Sequence, residues 1–297
     1  MTPKISSMSA ILAALSPDRS FDKGFEAFKR GDFAAALQRW RPLAESGHTG
    51  AQYNLAAMYV NGQGVPQDDA EAARWLHLAA EQGDSNAQQN LGAMYLNGQG
   101  IPHDDAEAVH WFRLAAKQGQ PEAQNNLGQL YMTGRGVPQD HGEAARWIRL
   151  AAEQGHACAQ GNLSTMYLNG EGVPQDDAEA LRWCLLAVKQ GDIKAQNNLG
   201  VVYAGGQGVP HDDAKAVRWF RRAAEQGYAS AQHNLGAMYA HGRGVSQDDV
   251  LAHMWFNLAA AQGDGSAARN RDIAVSLMTP AQLSQAQRLA REWWTKQ

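Results

Sequence analysis

An all-α fold, an α/α solenoid of about seven helix-turn-helix repeats, is what the sequence predicts, and three observations carry it. The string AQxNL begins at Ala51, Ala87, Ala123, Ala159, Ala195 and Ala231, always 36 residues apart and without insertion. Each unit reads helix, turn, helix, turn. No stretch alternates apolar and polar residues with a period of two, so no sheet is expected.

The elements follow in order. Residues 1–20 read as a flexible tail. The short apolar run Ala10–Leu15 behind Lys4 sits at the bottom of the range for a secretory leader, and Ser16-Pro17-Asp18 follows it. No signal peptide is expected, which places the chain in the cytoplasm, with a periplasmic or secreted location as the alternative. Residues 21–50 form a capping helical hairpin, a degenerate repeat in which Trp40 stands in for the repeat tryptophan. Six repeats then occupy 51–86, 87–122, 123–158, 159–194, 195–230 and 231–266.

In the unit starting at Ala87, the first helix shows Leu91, Met94 and Tyr95 on one face. Gly98 and Gly100 supply the left-handed backbone that ends it. The residue before Pro102 is held extended. Asp104 caps the second helix, with Glu107 at the capping-box position, and Asp68/Glu71, Asp140/Glu143 and Asp176/Glu179 repeat the pairing. Ala106, Trp111 and Ala115/Ala116 make the second helix's apolar stripe. Neither helix is apolar all round, so single pairs cannot close a core and stacked pairs can. Residues 267–297 close the array: a lone first helix over Ala267–Leu277, then a helix opened by Thr279-Pro280-Ala281-Gln282 and carrying Leu283, Leu289, Trp293 and Trp294.

Composition excludes several classes. The chain has 297 residues, 26 Lys+Arg against 30 Asp+Glu, and a net charge of −4, so binding of nucleic acid by bulk charge is not expected. No apolar run exceeds six residues, too short to span a membrane. Cys158 and Cys184 occupy different repeat positions and read as free thiols.

The pattern A-x-x-x-L-G-x-x-Y-x-x-G-x-G-V-x-x-D-x-x-x-A-x-x-W-x-x-x-A-A-x-x-G recurs over Ala51–Gly263 and resembles the Sel-1-like repeat family, relatives of the tetratricopeptide repeats. Ala56 and Ser164 replace the small glycine, and Ser246 replaces the proline. The resemblance implies a right-handed superhelix, a concave groove lined by first helices, and a protein or peptide ligand. It also implies a bacterial adaptor or regulatory role, often at the cell envelope.

No catalytic constellation stands out. HExxH, CxxC, GxSxG and phosphate-loop motifs are missing from the sequence. His103, His141 and His211 occupy a turn position that is Gln in other units, as a solvated loop allows. The Asp-Asp pairs sit at helix starts, where capping explains them. The six tryptophans Trp75, Trp111, Trp147, Trp183, Trp219 and Trp255 read as core. Cysteine-rich relatives linked to β-lactams carry a Cys pair in each repeat, and this chain does not. No enzyme, cofactor or metal is expected.

Helical phase makes repeat positions 3, 7 and 10 of the first helix point away from the buried direction. Position 3 carries Tyr53, Gln89, Asn125, Gly161, Asn197 and His233; position 7 includes Gln129 and Val201; position 10 includes Leu96, Met132 and Leu168. Position 4 is asparagine throughout: Asn54, Asn90, Asn126, Asn162, Asn198 and Asn234. In related peptide-binding arrays an asparagine near this place holds a bound peptide's backbone. A bond to the neighbouring repeat's backbone also explains its presence in every unit, and better fits its invariance.

The leading reading is a non-enzymatic scaffold. A cell-wall hydrolase or accessory subunit, and a self-associating structural protein joined end to end through Trp293 and Trp294, are the alternatives. In the leading reading the chain is a monomer.

Overall fold

The computed structural model describes residues 19–295, and these contain helices and no strand. The expectations for the tail and for Ala10–Leu15 lie largely outside the described residues. The chain divides after Gln154 into two compact units. The first holds α1 (Arg19–Lys29), α2 (Phe33–Glu45), α3 (Thr49–Asn61), α4 (Asp69–Glu81), α5 (Ser85–Asn97), α6 (Asp105–Lys117), α7 (Pro121–Thr133) and α8 (His141–Glu153). The second holds α9 (Ala157–Asn169), α10 (Asp177–Lys189), α11 (Ile193–Gly205), α12 (Asp213–Glu225), α13 (Ala229–His241), α14 (Asp249–Ala261), α15 (Gly265–Ser276) and α16 (Pro280–Trp294). Within each unit every first helix packs on its own second helix, and that second helix packs on the next first helix.

The first helices begin two residues earlier than the AQ signal suggested, because the cap lies upstream. His48, Asp84, His156 and Asp192 each accept a hydrogen bond from the backbone N–H of the alanine opening the AQ string. The second helices start where expected. Asp68, Asp104 and Asp176 accept from two N–H groups, and Asp140, Asp212 and Asp248 from one. The expected capping boxes do not close there. Glu71, Glu143 and Glu179 instead bind Arg74, Arg146 and Arg182 one turn on, at 3.0, 2.9 and 3.0 Å. The box does form at Thr279 and Gln282.

Two glycines end each first helix for different reasons. Gly98 takes a left-handed φ of 64° as C-cap. Gly100, at φ 70°, lies against the Asp69–Ala70 backbone of the preceding repeat, where a Cβ would collide. That approach fixes how closely consecutive repeats stack within the unit.

The core follows a size rule. Repeat position 6 faces position 26, and the two trade volume: Gly92 meets Phe112, Gly200 meets Phe220, Gly236 meets Phe256, while Ala56 goes with Leu76 and Ser164 with Cys184. A Cβ on Gly92 would come within 2.9 Å of the Phe112 ring. In the N-terminal hairpin Gly24 faces Trp40 in the same way. Trp40 therefore fills the place of Leu76 and Phe112, not that of the repeat tryptophan, which corrects the sequence expectation. It is fully buried, and its indole N–H donates to the Phe21 carbonyl at 3.2 Å.

Trp75, Trp111, Trp147, Trp183 and Trp255 are buried, and Trp219 is half-buried. Guanidinium groups lie over four of them: Arg74, Arg146 and Arg182 are 4.3, 4.4 and 4.7 Å from the neighbouring ring centroids, and Arg222 is 5.7 Å from that of Trp219. Ala106, placed on the second-helix stripe from the sequence, is exposed. The buried side runs through Ala108, Val109, Trp111, Phe112, Ala115 and Ala116. At the C-terminus α16 packs on α14, with Trp293 edge-on to Trp255 at 6.5 Å. Trp294 is left 47% exposed.

Candidate partner-binding face

The first helices carry two hydrogen-bonded series of amides. The inner series starts from the glutamine of each AQ string. Gln52, Gln88, Gln124 and Gln232 donate to the Ala44, Ala80, Ala116 and Ala224 carbonyls, eight residues back, at 3.1 to 3.2 Å. The same side chains accept from a second glutamine 30 residues on: Gln82, Gln118, Gln154, Gln190, Gln226 and Gln262 reach Gln52, Gln88, Gln124, Gln160, Gln196 and Gln232 at 2.7 to 2.9 Å. A primary amide can both donate and accept, so one buried glutamine per repeat ties three successive helices together. Its recurrence in the sequence is plain, but its role depends on where a neighbouring helix ends.

The outer series involves the predicted site. Asn90 donates to the Tyr53 hydroxyl at 3.2 Å, and Asn234 to the Asn197 carbonyl oxygen at 2.9 Å. The same step, from one repeat's position 4 to position 3 of the repeat before, recurs where Asn270 meets His233 Nε2 at 3.0 Å. Asn198 turns to Thr165 at 2.8 Å. These asparagines therefore serve contacts between repeats, through side chains rather than the backbone partner expected. Asn54 is the exception. It is 3% exposed, yet its Nδ2 has no acceptor. By the Gly24–Trp40 match, position 3 of the preceding hairpin is Phe21, whose ring offers no lone pair and stacks on His48 at 4.8 Å.

Position 3 is thus less open than helical phase suggested. Tyr53, Asn125 and Asn197 are buried at 4%, 4% and 6%. The next repeat's first helix leans over Tyr53 and Asn197, an effect that periodicity within one helix does not register. Gln89, Asn126, Asn162, Asn198, His233 and Asn234 are half-buried, with Gln89 Oε1 unpartnered. Gln129 is exposed and Val201 is 39% exposed, while Leu96, Met132 and Leu168 are half-buried. His233 Nδ1 on this series lies 3.1 Å from Asp264. Burial acts to raise the Asp264 carboxyl, but the Ala267 N–H and His233 outweigh it and hold it below the usual range.

Elsewhere two turn histidines join small ionic groups. His103 and Arg135 both meet Asp105, at 3.1 and 2.7 Å, and His211 and Arg243 meet Asp213 at 3.2 and 2.7 Å. The hydrogen bond from Arg135 is the main influence that holds the Asp105 carboxyl low. The pairing was visible in the sequence: His appears at the turn where the next repeat supplies Arg, 32 residues on. Among the described residues no helix is long and apolar enough to cross a membrane, and no group of His, Cys, Asp and Glu has the arrangement of a metal site.

The profile of the Sel1 repeat matches residues 49–84, 85–120, 121–156, 159–192, 193–228 and 229–264. The crystal structure of a Sel1 repeat protein from Oxalobacter formigenes is similar at 30% identity with a TM-score of 0.74, covering 82% of this chain and 97% of that one. Two exopolysaccharide production negative regulators share shorter stretches. That of Rhizobium leguminosarum bv. viciae is 50% identical over 52 residues, 18% of this chain and 20% of its own length. That of Rhizobium meliloti is 45% identical over 56 residues, 19% and 21% respectively. The match thus spans about a fifth of these relatives.

Proposed function

Since this chain belongs to the Sel1 repeat family, we propose that it is a non-enzymatic adaptor holding a peptide or protein segment along the face of its first helices. One observation supports this most. The glutamine of position 2 and the asparagine of position 4 recur in every unit and are buried or half-buried, while position 7, buried at Ala57, is more open from the second unit on and varies: Ala93, Gln129, Thr165, Val201, Ala237. A fixed frame with a varied open row is what sequence-selective recognition of an extended or helical segment requires. Half-buried Leu96, Met132 and Leu168 beside that row supply apolar contact area.

In this reading Gln89 and Gln129 touch the ligand directly. Tyr53, Asn125 and Asn197 with the position-4 asparagines set the spacing of the row. The likeness to exopolysaccharide regulators favours a regulatory role over a purely structural one.

The test is affinity capture from lysate of the source bacterium, comparing wild type with Gln129→Arg and Val201→Arg. Lys117→Ala, on an exposed second-helix position, serves as control. A partner lost from both folded groove variants and kept by the control supports the face. A partner retained by all three removes it. A strain lacking the chain, with unaltered extracellular polysaccharide, would remove the regulatory assignment separately.

A further inference from the structure

One helix face breaks the pattern of the array. Arg41, Arg113 and Arg221 occupy the same repeat position and donate to the hydroxyls of Tyr59, Tyr131 and Tyr239 at 3.0, 3.1 and 2.8 Å. In α10 this place is taken by Leu185, 47% exposed. Leu181 stands where other repeats carry Ala73, Val109, Ala145 and Val217, and Leu186 beside it is 39% exposed. With Ala178, Arg182 and Lys189 they line a shallow hollow of about 630 Å³. The exchange loses a hydrogen bond to tyrosine and leaves apolar surface in water. A clustered apolar face on an otherwise polar helix surface marks an interaction site.

The charges name the occupant. The first turn of α10 is acidic, with Asp177 and Glu179, and its last turn carries Lys189. Asp177, like Asp69 in the first unit, lacks the cation that Asp105 and Asp213 have. Asp105 and Asp213 bind Arg135 and Arg243, whereas Gln207 stands in that place for Asp177, one of whose oxygens is buried without a partner. Glu179 is held by Arg182 within the helix, so Asp177 and Lys189 set the charge of the two ends, and a reversed copy of α10 complements that pair. We propose that α10 is an isologous contact, pairing antiparallel with α10 of a second copy of this chain. Leu181 then lies opposite Leu185 across the two-fold axis, and Lys189 faces the acidic first turn of the other copy, with the helix dipoles opposed. A partner acidic throughout or basic throughout matches only one end. One helix from each copy makes a small interface, so the dimer is weak.

The proposal departs from the monomer expected from sequence and is independent of the ligand face. Sedimentation equilibrium of the full chain from about 10 µM to about 1 mM spans the affinity range of such an interface. The mass of wild type is expected to rise with concentration from 32.2 kDa toward twice that value. Leu185→Arg restores the residue of three other repeats, Arg113, Arg149 and Arg221, so it is expected to keep its helical circular dichroism and melting temperature while remaining at monomer mass. Lys189→Glu is expected to weaken association at least tenfold. A wild-type mass constant over the whole range overturns the proposal and leaves the face to a different partner. Equal association by folded Leu185→Arg, or by Lys189→Glu, overturns the site or its antiparallel arrangement.

Discussion

Exchanging the members of one size-matched pair tests the packing rule of the core. Phe112 is fully buried, and a Cβ on Gly92 would meet its ring at 2.9 Å, closer than real Cβ contacts come. Gly92→Ser alone therefore overpacks the site and costs about 1–3 kcal/mol, offset by roughly 0.5 kcal/mol from replacing a helical glycine. Phe112→Cys alone leaves a cavity and costs about 2–4 kcal/mol. Together the two changes recreate Ser164 and Cys184, where the serine hydroxyl donates to the Ala180 carbonyl at 2.8 Å. The Ala108 carbonyl stands in the equivalent place for a serine at 92. The double variant is expected to lose only about 1–2 kcal/mol, a coupling of about 1.5–4.5 kcal/mol relative to the sum of the single changes. Guanidinium unfolding of all four proteins, followed by circular dichroism, measures this, with the denaturant slope monitored because repeat arrays can unfold in parts. Additivity to within about 0.5 kcal/mol would refute the claim that these positions share one volume.

Other predictions rest on separate features. Phe21→Tyr should give the orphaned Asn54 amide the acceptor that Tyr53 gives Asn90, stabilising the N-terminal hairpin by about 1 kcal/mol, which a rise in melting temperature would register. Trp147→Ala should destabilise by about 3–5 kcal/mol, and an unshifted unfolding midpoint would show that the ring is not core. His253 is 3% exposed with Nδ1 unpartnered, and burial, aided by the Arg271 charge and opposed by Asp272, lowers its pKa. The unfolded chain then takes up the proton first, so stability is full above the ordinary value of 6.5 and falls as pH drops below it. His253→Val, which copies Val217, should flatten that acid limb in melts taken across pH 5 to 7. Burial pushes the Cys184 thiol up to about 12 and also raises Cys158. Thiol reagent at neutral pH should therefore label exposed Cys158 slowly, and Cys184 only after unfolding.

The helices were legible because their signals are local. A repeat of 36 residues, an aspartate before each second helix and a glycine after each first one all act within a turn or two of chain. The partner face was less legible. Whether Tyr53 or Asn197 meets water depends on how far the next repeat leans over it, which rotation about a single helix axis does not describe. Yet some of the missed packing was written in the comparison of repeats with one another. Where glycine yields to serine at position 164, the residue 20 places on shrinks to cysteine; where it yields to alanine at 56, its counterpart is leucine. Treating Ala56 and Ser164 as isolated departures concealed that covariation. The same comparison exposes Trp40, which lies 36 residues before Leu76 rather than before Trp75.

The inner glutamine series has a consequence for how such a chain can change length. Gln52, Gln88, Gln124 and Gln232 find their partners eight residues behind and 30 residues ahead, and within a unit both kinds of partner recur with the repeat. Recombination between neighbouring repeats that removed residues 87–122 would bring Gln124 to the Ala80 carbonyl and Asn126 to the Tyr53 hydroxyl, remaking the bonds it cut. A deletion one residue longer or shorter would rotate every later helix by about 100° and bury the wrong side chains. The molecule can therefore gain or shed surface in quanta of one repeat, and an altered partner range could arise from a single unequal crossover without any new side chain being invented.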